Sequence, residues 1–164
     1  MTAAYTGLRW GELAGLHRDN VNLREGWIFV ADEDGALIEI NGRLSKGRPK
    51  TRASRGRYIR LPKFLIDLLA LVMSSHEHAH VFVGGRGALQ RRSTFGRTWR
   101  TAVARATAPV AHRMIRGIHL HDMRHAHKTW MIEDNIPEVA QCDRLGHQLE
   151  GVRGVYSHTT PVME

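Results

Sequence analysis

The chain has 164 residues, a formal net charge of +8 and a hydrophobic content of 42%. This length is enough for one domain that buries about 70% of its unfolded surface, and the hydrophobic content excludes a disordered tail. The positive charge predicts an acidic partner. Nucleic acid is the first candidate, because Lys and Arg contacts to phosphates supply non-specific affinity; a merely basic protein is the alternative that charge alone leaves open.

The chain contains a single cysteine, Cys142, which excludes an intrachain disulfide and favours a reducing cytoplasmic setting. We expect no signal peptide, and no membrane span, because no apolar run approaches the ~20 residues that cross a bilayer. Among eleven histidines, the run HEHAH at 76–80 could bind a metal. Alternate histidines in a polar loop are more often solvated, so we predict no metal.

The first predicted element is a helix over residues 7–16. Leu13 and Leu16 form its apolar face, and Arg9 and Glu12, three positions apart, lie on another.

Strands are predicted next. Residues 26–32 and 35–42 are β-rich runs separated by the turn-forming sequence DEDG, and residues 57–62 alternate polar and apolar side chains as a third strand. Between the second and third strands, residues 43–56 are basic and interrupted by Gly and Pro, which predicts a mobile loop.

Two amphipathic helices are predicted after the strands. Pro62 opens the first, whose apolar side chains follow the i, i+3, i+4, i+7 spacing: Leu65, Leu68, Leu69 and Val72. The second is predicted over residues 93–106 with Ser93 as its cap. Its buried stripe consists of Phe95, Trp99 and Val103.

Two more helices are predicted towards the C-terminus. The helix over residues 121–134 has an apolar face of Met123, Ala126, His127, Trp130 and Met131. The next begins with Pro137 at N1 and ends with Gly146 near C′. His147 is therefore predicted at a helix C-terminus, followed by a short helix or turn over residues 150–156.

Four local motifs follow one another along the chain: YTGLRWGEL around Arg9, PKTRASRGRYIRLP around Lys50, HLHDMRHAH around His121 and Arg124, and RLGHQLEGVRGVYSH from Arg144 through His147 and Tyr156. In this order and spacing the chain resembles the catalytic domain of the tyrosine recombinases, the phage integrase family, over residues 5–158. The resemblance implies a mainly α fold with a small antiparallel β-sheet, of the DNA breaking–rejoining enzyme type. It also implies six catalytic residues: Arg9, Lys50, His121, Arg124, His147 and Tyr156.

Arg9 and Arg124 suit a phosphodiester, whose non-bridging oxygens gain negative charge in the transition state. Guanidiniums hold such oxygens bidentately and stay charged at physiological pH. For each of them a salt bridge, such as that of Arg9 with Glu12, is the structural alternative.

Tyr156 is the predicted nucleophile. Its phenol has a pKa of ~10, so another group must take the proton during attack. The resemblance assigns that role to His121, which could instead orient Arg124 or cap its helix. It assigns His147, nine residues before the tyrosine, a hydrogen bond to the phosphate and a possible share in proton transfer. A cap or an exposed residue is the alternative for His147.

The leaving 5′ hydroxyl needs a general acid, and Lys50 resembles the mobile lysine of the family. Neighbouring positive charge lowers the pKa of a lysine and frees its proton. Lys46 is the competing assignment, and contact with the DNA backbone alone is the structural alternative for Lys50.

The resemblance implies a site-specific recombinase of a mobile element that integrates DNA. It would cut and rejoin double-stranded DNA through a 3′-phosphotyrosine, by transesterification, as a homotetramer on DNA. No small-molecule cofactor or metal is predicted. A type IB topoisomerase-like enzyme and a catalytically inactive DNA-binding remnant remain as alternatives.

We expect residues 1–164 to form the catalytic domain alone. Family members carry an N-terminal core-binding domain and a C-terminal segment that docks on a neighbouring subunit. Here Met1 lies eight residues before Arg9 and the chain ends eight residues after Tyr156. These spacings predict that the core-binding domain is absent and that the C-terminal tail is short.

Overall fold

The computed structural model describes residues 1–107 and 117–149. Six α-helices lie in these ranges: α1 (Thr2–Thr6), α2 (Trp10–Ala14), α3 (Lys63–Ser74), α4 (Arg92–Thr107), α5 (Asp122–Glu133) and α6 (Glu138–Leu145). Five strands accompany them: β1 (Val21–Asn22), β2 (Trp27–Val30), β3 (Ala36–Ile40), β4 (Arg43–Gly47) and β5 (Arg57–Arg60). The predicted fold class, mainly α with small antiparallel sheet structure, is confirmed.

The helix predicted over residues 7–16 is confirmed only at its centre, as α2, and is wrong at both ends. Gly7 has a left-handed backbone with φ of 64° and ends α1, and α2 begins two residues after Leu8, with Arg9 in an extended conformation as its cap. A side chain at position 7 would also collide with its neighbours, because a Cβ there would lie 2.5 Å from Leu145. Glycine is therefore required at this break for both backbone conformation and space.

The strands form two sheets rather than one. The first has the order β1-β2-β5 and the second is the β3-β4 hairpin, and every pairing is antiparallel. The prediction of a loop throughout 43–56 is wrong for residues 43–47, which are β4. The hairpin turn, Asn41 and Gly42, has φ values of 49° and 74°, as expected for Asn-Gly between paired strands.

The main core lies between the three-stranded sheet and α3. Ile28 of β2 and Ile59 of β5 are paired and fully buried, and α3 contributes Leu65 and Leu69. Burial alternates along β5, as its sequence predicted, with Tyr58 exposed. The alternation also places Arg57 on the buried side, where it requires a partner.

The four C-terminal helices are confirmed, with small shifts at their starts. Pro62 and Pro137 each occupy the position before the first helical residue, and α4 begins one residue before Ser93. Gly146, with φ of 64°, ends α6 as predicted. The predicted helix or turn over 150–156 lies outside the described residues. None of the helices in the described ranges is long and apolar enough to cross a membrane.

Candidate active site

Arg9 occupies the extended link between α1 and α2 and makes contacts in three directions. Its guanidinium lies 3.2 Å from Glu12, donates from Nη2 to the Gly146 carbonyl at 3.1 Å, and donates from Nη1 to the Ser54 hydroxyl. Its backbone N–H also donates to the Glu12 carboxylate at 2.9 Å. The salt bridge considered as an alternative for Arg9 therefore exists. It holds the Nη1 side of the guanidinium, while the Nη2 side contacts Gly146.

Glu12 is a buried carboxylate shared by two arginines. Its side chain is 2% exposed, and Arg57, which is 5% exposed, donates to both of its oxygens at 2.9 and 3.3 Å. Sequence reasoning missed this function of Arg57. The sequence signal that could have revealed it is the alternation along β5, which places Arg57 on the same face of the strand as Ile59. Since a buried carboxylate needs charged partners, Glu12 holds Arg9 and Arg57 in fixed positions.

Arg124 is buried in the first turn of α5, with 4% exposure. It donates to the carbonyls of Gly7 and Leu145 and, at 2.9 Å, to Nε2 of His147. Burial, followed by the charge of Arg9, lowers its pKa to about 10. It therefore remains charged at neutral pH. Its two carbonyl contacts hold the helix break and the end of α6 against α5.

His147 follows Gly146 directly, and its backbone N–H donates to the carbonyl of Cys142 at 2.8 Å. Partial burial of the ring and the positive charges of Arg124 and Arg9 lower the pKa of His147 to about 4. The imidazole is therefore neutral at physiological pH. The structure places it beside Arg124, in contact with the guanidinium.

His121 lies just before α5, with its ring 4.8 Å from that of His125 in an edge-to-face arrangement. Burial, His125 and the charge of Arg124 lower the pKa of His121. Within the described part of the chain its side chain makes no capping hydrogen bond. His121 thus occupies the cap position of α5 through its backbone carbonyl, which accepts from the amides of Arg124 and His125 at 3.0 and 3.4 Å, and its side chain is left without a capping role.

Lys50 is exposed in the segment between β4 and β5. The residue that follows it, Thr51, donates from its hydroxyl to the Gly146 carbonyl at 3.1 Å. The competing Lys46 lies on β4 with its ammonium 3.8 Å from Asp34. The structure thus brings the backbone next to Lys50 to the site, whereas Lys46 is engaged by a carboxylate.

The structure therefore brings three predicted residues together at the end of α6: Arg9, Arg124 and His147. His121 lies close enough to Arg124 and Arg9 for their charges to help lower its pKa, after burial and His125. Lys50 borders this region through its neighbour, and Tyr156 lies outside the described residues. Within residues 1–107 and 117–149, no group of three or more His, Cys, Asp or Glu side chains is arranged to hold a metal ion. The positively charged groups of this region are guanidiniums. Because a guanidinium can bind two oxygens at once, the region favours an anion with several oxygens.

The family model described as the phage integrase family matches residues 1–162. The chain belongs to the phage integrase family. It is 28% identical to the prophage ps2 probable integrase of Lactococcus lactis subsp. lactis (strain IL1403), an alignment that covers 96% of the chain and 43% of that protein. The chain thus spans less than half the length of this relative.

Solved structures show the same fold. The Tn1549 transposon integrase in complex with circular intermediate DNA superposes with a TM-score of 0.78 at 19% identity, over 98% of this chain and 55% of that one. The XerA recombinase superposes with a TM-score of 0.65 at 21% identity, over 99% of this chain and 52% of that one. These likenesses show that the chain has the fold that the Tn1549 integrase and the XerA recombinase share.

Proposed function

We propose that this chain is the catalytic domain of a site-specific DNA recombinase, which cuts and rejoins double-stranded DNA through a 3′-phosphotyrosine intermediate. The observation that carries the proposal is the convergence of Arg9 and Arg124 on the end of α6, beside the neutral ring of His147. Membership of the phage integrase family supports the same activity.

In this proposal Arg9 and Arg124 bind the non-bridging oxygens of the scissile phosphate. Both guanidiniums are held by protein groups before DNA arrives, Arg9 by Glu12 and Arg124 by two carbonyls. Preorganised donors stabilise developing charge without reorganising during the reaction. His147 adds a hydrogen bond to the same phosphate.

The chemical step is a balanced transesterification. The Tyr156 oxygen attacks phosphorus, its proton passes to His121, and the bond between phosphorus and the 5′ oxygen breaks. Lys50 gives a proton to that oxygen, which leaves as a 5′ hydroxyl. The reverse attack by a 5′ hydroxyl reseals a strand, so the phosphotyrosine bond conserves the energy of the original linkage.

We further propose that the partner is double-stranded DNA and that a homotetramer assembles on it. The formal charge of +8 favours a polyanion, and the Tn1549 integrase, which shares the fold, was solved in complex with circular intermediate DNA.

Covalent trapping tests the proposed function. A suicide substrate, nicked so that the released 5′-hydroxyl fragment diffuses away, should accumulate a protein–DNA adduct with this chain. Tyr156→Phe should abolish the adduct and leave DNA affinity nearly unchanged, because only the attacking oxygen is removed. No adduct with the unmodified chain would support the inactive remnant, and an adduct with the Phe variant would identify another nucleophile. Relaxation of supercoiled DNA without sequence preference would instead support a topoisomerase.

A further inference from the structure

The carbonyl oxygen of Gly146 is a meeting point for three segments of the chain. It lies 3.1 Å from each of three donors: Nη2 of Arg9, the hydroxyl of Thr51 and the hydroxyl of Ser54. A carbonyl oxygen has two lone pairs, so three donors exceed its ordinary capacity. The two hydroxyl oxygens are also only 2.5 Å apart, and each carries one proton, so at any moment one of them donates to the carbonyl and the other donates to that hydroxyl. They are therefore coupled to one another as well as to the carbonyl.

The contact is close because Gly146 has no side chain. A Cβ at this position would lie 2.6 Å from the Cα of Ser54, so the two backbones approach as nearly as glycine permits. Ser54 is fully buried, and its hydroxyl also accepts from Arg9. The turn that precedes His147 is therefore packed rigidly against the segment that follows Lys50.

Thr51 differs from Ser54 in being exposed. Its backbone is adjacent to Lys50, and its hydroxyl ties that backbone to a carbonyl 95 residues further along the chain. Lys50 itself is exposed, so the position of its ammonium depends on how firmly its loop is held. A free loop would lower the fraction of time that the ammonium spends beside a leaving oxygen.

We propose that Thr51, through its hydroxyl group and the Gly146 carbonyl, is a positioning residue that couples the Lys50 loop to the His147 turn. This inference rests on the proposed function for the role of Lys50, whereas the coupling itself is a property of the folded chain. Ser54 completes the connection by joining the same carbonyl to Arg9.

The test compares Thr51→Val, which removes the hydroxyl at nearly constant volume, with Thr51→Ser, which retains it. Adduct formation is measured on the nicked substrate with an ordinary phosphate and with a 5′-bridging sulfur, which leaves without being protonated. The Val variant should form adduct roughly three- to tenfold more slowly on the ordinary substrate, as expected for one lost hydrogen bond. It should recover most of this loss on the sulfur substrate, and the Ser variant should stay within about twofold of wild type on both.

Lys50→Ala serves as the reference for a defect in leaving-group protonation. Suppose that sulfur rescues Lys50→Ala. If Thr51→Val then forms adduct as fast as wild type on the ordinary substrate, or is equally slow on both substrates, the coupling is refuted and the proposed function stands. If the unmodified chain forms no adduct, the proposed function is wrong. If sulfur fails to rescue Lys50→Ala, Lys50 is not the general acid. In either case the coupling has no effect on catalysis.

A second measurement needs no DNA. The amide of His147 donates to Cys142 at 2.8 Å, and its hydrogen exchange should accelerate in Thr51→Val but not in Thr51→Ser. The amide of Ile28, in the core strand β2, should exchange at the same rate in all three proteins. Unchanged exchange at His147 in the Val variant would overturn the coupling.

Discussion

Nε2 of His147 accepts a hydrogen bond from Arg124 at 2.9 Å. A guanidinium has donors and no acceptor, so this nitrogen must be unprotonated. The proton of the neutral ring is therefore on Nδ1, and the ring can donate from that atom. Donation from Nε2 would require the contact with Arg124 to break and that nitrogen to gain a proton, either by a change of tautomer or by protonation of the ring. The charge state of His147 is thus tied to what occupies the space beside the guanidiniums.

An oxyanion should raise the pKa of His147. Burial, followed by the positive charge of Arg124 and Arg9, holds that pKa at about 4, and a bound sulfate would offset the effect of the two charges. NMR titration of the ring in sulfate should show the pKa moving up towards its ordinary value of 6.5. Chloride at equal ionic strength is the control, and equal effects of the two salts would argue against an anion site at these arginines.

The general acid should be Lys50 rather than Lys46. Lys50→Ala should slow cleavage of an ordinary phosphate, and a 5′-bridging sulfur should largely restore the rate. Arg124→Ala should lose about 3 kcal/mol or more of transition-state stabilisation and should not be rescued, because its contact is with non-bridging oxygens. Lys46→Ala is the matched control, since its ammonium lies 3.8 Å from Asp34. Rescue of Lys46→Ala instead would transfer the assignment to that residue.

Glu12→Gln should destabilise the fold strongly. The substitution removes the negative charge between Arg9 and Arg57 while retaining side-chain volume. Leaving a buried charge without its partner costs about 3–5 kcal/mol, which chemical denaturation would measure as a lower free energy of unfolding. Glu33→Gln, at an exposed pair with Arg48, should leave that free energy almost unchanged. Similar losses of free energy of unfolding in the two variants would mean that the buried network around Glu12 contributes no more than an exposed ion pair.

The free energy of unfolding should fall as the pH is lowered from about 6.5 to about 4, partly because of His127. Burial and the neighbouring charge of Arg144 lower the pKa of His127 to about 4, and its Nε2 accepts from Arg144 at 2.9 Å. In this window the unfolded chain binds a proton that the native state does not, which favours unfolding by up to about 1.4 kcal/mol per pH unit.

His127→Gln should flatten this dependence, because glutamine keeps an acceptor for Arg144 without titrating. The measurement is the free energy of unfolding of both proteins between pH 4 and 8, the lower limit being the pKa of the native ring. An identical pH dependence in the two proteins would contradict the role given to His127.

Elements with strong periodicity were predictable from sequence. The apolar spacing that includes Leu65 and Leu69 identified α3, and Gly146 correctly marked the end of α6. Strand β4 was missed because its sequence, RLSKG, contains two basic residues and a glycine, is mostly exposed and shows no apolar alternation. Asn41-Gly42 was a signal for that hairpin, since the dipeptide favours the two-residue turn found there.

The grouping of three residues was predictable from the sequence, but the contacts that hold them in place were not. The motifs named Arg9, Arg124 and His147, which the structure places together. They gave no indication that the Gly146 carbonyl would lie 3.1 Å from three polar groups or that Arg57 would share Glu12. Such contacts join residues far apart in the chain, and local propensity and spacing carry no information about them.

The break at Gly7 sets local helix stability against assembly of the site. In an uninterrupted helix the carbonyl of residue 7 would accept from the amide four residues later, whereas here it is free to accept from Arg124. Alanine at this position would favour a continuous helix, in which the carbonyl would accept from the helix backbone instead of from Arg124, and its Cβ would crowd Leu145. A stability-guided redesign that scored each segment by itself would therefore choose the wrong residue at position 7, and selection for foldability alone would erode the arginine site.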